Sequence, residues 1–93
     1  MKYALKNWDH WYWEKHSDGL HRYYGALLAQ DLWQHWLIVK YWGGIGRKPS
    51  RKVTVHFDSL SEAQAALSDI EYHRQRRGYH IFSSLRLVNR NII

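Results

Sequence analysis

The chain has 93 residues, 45% hydrophobic and 16% aromatic, with 14 Lys/Arg against 8 Asp/Glu. That apolar content excludes a disordered chain, and the length suits one small core in a single domain, 1–93. Without cysteine there can be neither disulfides nor thiolate zinc sites; Met1 to Trp8 lacks a signal-peptide run, and no stretch nears the ~18 apolar residues of a membrane span, so a cytoplasmic protein without membrane contact is expected.

Residues 7–16, Asn7-Trp8-Asp9-His10-Trp11-Tyr12-Trp13-Glu14-Lys15-His16, are crowded with aromatics and predict a first strand, ended by the turn signal Ser17-Asp18-Gly19. Arg22 to Ala29 predicts a second strand with Tyr24, Ala26 and Leu28 on one face. After a connection at Gln30-Asp31-Leu32, Trp33 to Tyr41 predicts a third, with Trp36, Ile38, Lys40 and Trp42 on one side and Leu37, Val39 and Tyr41 on the other. Both sides are apolar enough to place this strand centrally. A Gly-rich loop follows, and Lys52 to Phe57 then alternates, with Val53, Val55 and Phe57 inward. Ser59-Leu60-Ser61-Glu62 has the spacing of a capping box, opening a helix from Leu60 to Arg76 with Ala63, Ala66, Leu67 and Ile70 on one face. Arg74, Arg76 and Arg77 complement its negative end and Gly78 supplies a C′ residue. Tyr79 to Phe82 predicts a short returning strand, and Leu85 to Ile93 either another strand or a tail. The order is that of an α+β domain: an antiparallel sheet of four to five strands with one helix packed on one face.

Charge is concentrated. Residues 44–93 hold nine of the Lys/Arg and four of the acids, while residues 1–43 are nearly balanced. The densest part is Trp42-Gly43-Gly44-Ile45-Gly46-Arg47-Lys48-Pro49-Ser50-Arg51-Lys52, which combines a flat ring, three glycines and four cations. Bare backbone N–H groups, a ring and Arg/Lys suit a phosphate–sugar partner; the same residues also suit an ordinary hairpin loop. Trp42 either stacks on a sugar or base or plugs the end of the core.

Several of these signals together resemble the WGR domain: Arg22-Tyr23-Tyr24, Asp31-Leu32, Trp36, Trp42-Gly43-Gly44-Ile45-Gly46, Ser59 to Leu67 and Arg76-Arg77-Gly78-Tyr79. The resemblance covers about residues 11–80. That family occurs in DNA-dependent poly(ADP-ribose) polymerases and in small, sometimes standalone, bacterial proteins. It implies an antiparallel sheet with one helix, and DNA contact near strand breaks, with Trp42 matching the tryptophan that packs on a terminal sugar. Gly44 stands where the motif arginine is expected. That arginine links the domain to its neighbours in the polymerases, so its loss bears more on inter-domain signalling than on DNA contact; Arg47 and Lys48 lie where they could restore local charge.

These readings converge on a non-enzymatic nucleic-acid-binding module acting through Trp42, Gly43, Arg47, Lys48, Arg51 and Lys52, with DNA ends or nicks as the ligand. The alternative is a protein-interaction or homodimerisation module using the Trp-rich first strand. No cofactor is expected, and the seven histidines, which lack an H-x-x-x-H pair, predict no metal site. The acids are scattered and offer no nucleophile–base arrangement.

Overall fold

The computed structural model describes residues 6–86, with side chains from Asp9 to Ser84. Its elements are β1 (Lys6–Ser17), β2 (Leu20–Gln30), β3 (Trp36–Gly44), β4 (Arg51–Phe57), α1 (Leu60–Arg76) and β5 (His80–Arg86). The strands form one antiparallel sheet in the order β4-β3-β2-β1-β5. Asp18 and Gly19, both at positive φ, join β1 to β2 in a two-residue loop, as a type I′ turn requires.

Two expectations are corrected. The third strand starts at Trp36, three residues later than the β-propensity of Trp33 suggests, because Asp31 organises a turn instead. Its Oδ1 accepts the N–H groups of Trp33 (2.9 Å) and His35 (2.8 Å), and Gln34 takes φ 68°. Trp33 is left 70% exposed. Second, the middle of the sheet is β2, since β5 returns to the free edge of β1; β3 is interior but lies beside the edge strand β4. On the Trp-rich first strand, among its described side chains, Trp13 is buried and Trp11 packs half-buried against the core. Leu85 belongs to β5, and residues 87–93 lie outside the described part.

Cross-strand register sorts the side chains. Trp13 pairs with Tyr24, Tyr24 with Trp42, Leu28 with Ile38, and Trp36 with Phe57, so these share one face. From that face Trp13, Tyr24, Ala26, Leu28 and Ile38 form a buried cluster with Ala63 and Leu67 of α1 and with Tyr79. The opposite face carries His10, Tyr12, Tyr23, Gly25, Val39 and Tyr41. The path from β4 to β5 crosses the width of the sheet, roughly 19 Å at the usual strand spacing. Seventeen helical residues span about 25 Å, enough to bridge it.

Both helix ends are closed by local sequence. Ser59 Oγ accepts the Glu62 N–H at 3.1 Å, while the Glu62 carboxylate reaches the N–H of Asp58, one residue before the cap. At the other end Gly78 takes φ 88°; its N–H donates to Gln75 O and that of Tyr79 to Arg74 O, at 3.1 and 2.9 Å. This is a Schellman closure, and it brings Arg74 and Tyr79 together.

Candidate nucleic-acid interface

The Trp42 loop is held at several points. Ser50 donates its N–H and its hydroxyl to Trp42 O (2.9 and 3.2 Å), and Tyr23 donates its hydroxyl to Arg47 O at 2.9 Å. Arg47 N–H donates to Gly44 O, and Gly46 takes φ 86°. Gly43 is buried, and a Cβ there would lie 3.1 Å from both Ser50 N and Tyr23 Oη, so an added side chain would push the turn backbone aside by a few tenths of an ångström.

The residues singled out in the loop do not form one patch. Trp42 and Arg51 are cross-strand partners on the cluster face, whereas Gly43 and Lys52 belong to the opposite face. Arg47 and Lys48 sit exposed in the turn between β3 and β4. The loop is therefore a rim from which cations fan to both sides of the sheet.

What Trp42 does face is a recess of about 460 Å³ lined by Lys15, Arg22, Tyr24, Trp42, Arg74, Arg77 and Tyr79. Four cations and three rings meet there with no carboxylate. Of these, only Trp42 was among the site residues expected from the sequence. The sequence explains Arg74 and Arg77 as helix-end cations and places Lys15 and Arg22 in strands, Arg22 also among the residues of the family resemblance. A signal was available, however. Lys15 and Arg22 flank the hairpin at positions that pair directly across it, and like charges so placed repel unless something else occupies them.

Ring geometry builds the recess. Trp42 and Tyr24 are parallel within 3°, with centroids 5.4 Å apart. The Arg74 guanidinium lies 4.1 Å from the Tyr24 centroid and 5.0 Å from that of Tyr79, and Lys15 Nζ lies 5.8 Å from Tyr79. Arg74 Nε is buried and has no hydrogen-bond partner. Burial raises the Tyr24 pKa, with the nearby Arg74 and Arg77 charges pulling the other way. The negative end of α1 points toward this region, which would repel an anion. The Schellman hydrogen bonds occupy two of its carbonyls, and Arg74 and Arg77 add positive charge. The result is a positively charged recess beside the ring of Trp42.

Among the described residues no cluster of His, Asp and Glu could hold a metal ion, and no helix is long and apolar enough to cross a membrane. No curated protein and no solved structure matches the chain significantly. The family model for the WGR domain matches residues 10–84, from β1 into β5 and across the whole recess. The chain belongs to the WGR domain family.

Proposed function

We propose that this chain is a non-enzymatic nucleic-acid-binding module that contacts DNA phosphate and sugar near ends or nicks through the recess beside Trp42. WGR domains are nucleic-acid-binding modules. The observation that carries the finer reading is the meeting of Lys15, Arg22, Arg74 and Arg77 with the rings of Tyr24, Trp42 and Tyr79 and no acid among them. In this reading α1 lies across one face of the sheet and its last turn closes the site. Arg74 and Arg77 grip a phosphate, Trp42 supports the attached sugar, and Arg47, Lys48 and Arg51 hold the adjoining backbone. Gly44 leaves space beside Arg22 where the motif arginine would stand. No base is read, so binding is sequence-tolerant. The working compartment is the cytoplasm.

Fluorescence anisotropy with nicked, blunt and continuous duplexes at two salt concentrations tests this. Ends and nicks should bind more tightly than continuous duplex, with affinity falling steeply as salt rises. Equal affinity for all three would remove the end preference. Affinity indifferent to salt would remove phosphate contact altogether.

A further inference from the structure

The face of the sheet opposite the buried cluster is neither empty nor ordinary. Strand alternation gathers His10 and Tyr12 of β1, Tyr23 of β2 and Tyr41 of β3 there, and Phe82 of β5 joins them. Tyr12 stacks on Tyr23 with centroids 5.8 Å apart and planes 22° apart, and Phe82 meets Tyr12 edge-on at 5.8 Å. Tyr41 lies 6.2 Å from Tyr23 and 6.1 Å from His10, with His10 Nε2 2.6 Å from its hydroxyl. The rings thus run without interruption across four neighbouring strands. Gly25, opposite Tyr41, makes the arrangement possible, because any Cβ there would collide with the Tyr41 ring. Phe82 is 69% exposed, and His10, Tyr12 and Tyr41 are half-buried.

The three tyrosine hydroxyls are all engaged within the chain, that of Tyr12 with Glu14. Tyr23 donates to Arg47 O, and that of Tyr41 is bonded to His10. Tyr12 and Tyr23 turn their faces toward each other, so the exposed Phe82 is the ring most open to an incoming base. Around them stand Lys52, on the same face opposite Tyr41, and Arg47 and Lys48 in the adjoining turn. The acid on this side is Glu14, which His16 already contacts at 3.0 Å. Thr54, His56 and His21 complete the polar surround. A row of rings with a cationic border and one engaged carboxylate complements a flexible polyanion carrying flat groups, not an acidic or purely apolar protein surface.

We propose that this second face is a stacking platform for single-stranded nucleic acid. Unpaired bases lie on Phe82, Tyr12 and Tyr41, and the phosphates run past Lys52, Arg47 and Lys48. The platform is distinct from the Trp42 recess, from which the sheet separates it. A strand frayed at a duplex end could pass over the Arg47–Lys48 turn from one face to the other. Stacking discriminates little between bases, so recognition is general for single strands.

The test is anisotropy with an oligothymidylate of about 12 nucleotides, blocked at both ends so that no terminal phosphate is free, beside a blunt duplex. Wild type should bind the oligomer with an affinity that falls as salt rises. Phe82→Ala combined with Tyr12→Leu should weaken oligomer binding by roughly tenfold or more and leave duplex affinity unchanged. Phe82→Ala alone, at an exposed position, keeps the test available if the pair impairs folding, and should weaken oligomer binding severalfold. Arg77→Gln should do the reverse, lowering duplex affinity only, so failure at the recess remains distinguishable from failure here. No oligomer binding by wild type at low salt overturns the proposal, as does unchanged binding by folded Phe82→Ala. Sedimentation showing a wild-type dimer that Phe82→Ala dissociates, with oligomer binding unaltered, would make the face a self-association surface instead.

Discussion

Tyr24 and Trp42 are cross-strand partners whose rings lie within 3° of parallel. Tyr24 is buried and carries the Arg74 guanidinium over its ring, while half-buried Trp42 packs against the core and lines the recess, so the pair joins the two. Trp42 both packs against the core and lines the recess, so a core role and a ligand role make different predictions for its removal. Trp42→Ala should fold, at a cost on the order of 2 kcal/mol, less than for a fully buried tryptophan. The folded variant should lose its preference for nicked and blunt ends and keep weak, salt-sensitive duplex binding. Circular dichroism with urea melts measures the first effect and anisotropy the second. An unfolded variant would show that the core role dominates.

Gly44 pairs with Arg22, and a Cβ there would meet Arg47 Cδ at 3.5 Å and His21 O at 3.9 Å, which are ordinary contacts. Gly44→Arg should accordingly fold with its melting temperature little changed. Its charge would stand opposite Arg22, costing a few tenths of a kcal/mol in the free protein. A bound phosphate would relieve that repulsion. The expected outcome is tighter duplex binding with a salt slope steeper by about one unit, read from titrations across salt.

Gly25 is occupied from above by the Tyr41 ring, a cross-strand covering that gives a glycine inside a strand something to pack against. Gly25→Ala should cost about 1–3 kcal/mol, because the Tyr41 ring and its His10 bond must move aside. The double variant with Tyr41→Ser should regain part of that loss. Denaturation midpoints of the two single variants and the double variant complete the cycle.

Burial lowers the pKa of His10 below its usual 6.5. In the window between the lowered value and 6.5 the unfolded chain binds more protons than the folded one, so stability rises with pH. The contribution of neutral His10 is complete above about pH 6.5 and is lost as pH falls through the folded-state value. Urea midpoints from about pH 8 to about pH 5 should fall more steeply for wild type than for His10→Gln. Parallel curves would show that the acid sensitivity arises elsewhere.

The elements with strong periodicity were legible in the sequence. The alternation at Val53, Val55 and Phe57, the cap at Ser59 and the stop at Gly78 depend on neighbours within a few residues, and all three occur where the local pattern puts them. The start of β3 was not legible, since the hydrogen bonds of Asp31 outweigh the strand preference of Trp33. Most of the recess was hidden for a different reason. The hairpin pair Lys15–Arg22 and the helix-end pair Arg74–Arg77 lie far apart along the chain and meet only because β5 folds back on β1 and the Schellman closure turns Tyr79 under Arg74. The split of Arg51 from Lys52 follows from strand alternation alone and could have been inferred once β4 was placed.

The pairing of Trp13 with Ile81 joins opposite ends of the chain, whereas the three hairpin pairings from β1 to β4 are local. Loop-closure entropy disfavours early formation of such a distant pairing, so β5 is expected to dock after the four-strand meander and α1. Arg77 and Tyr79 stand immediately before β5 and enter the recess in the same event. A species lacking β5 would have a sheet and a helix but an incomplete recess. A polyanion that fills the recess therefore favours only the finished molecule and acts as a latch on the last strand. Its signature is slower unfolding and a melting temperature that climbs with the logarithm of polyanion concentration.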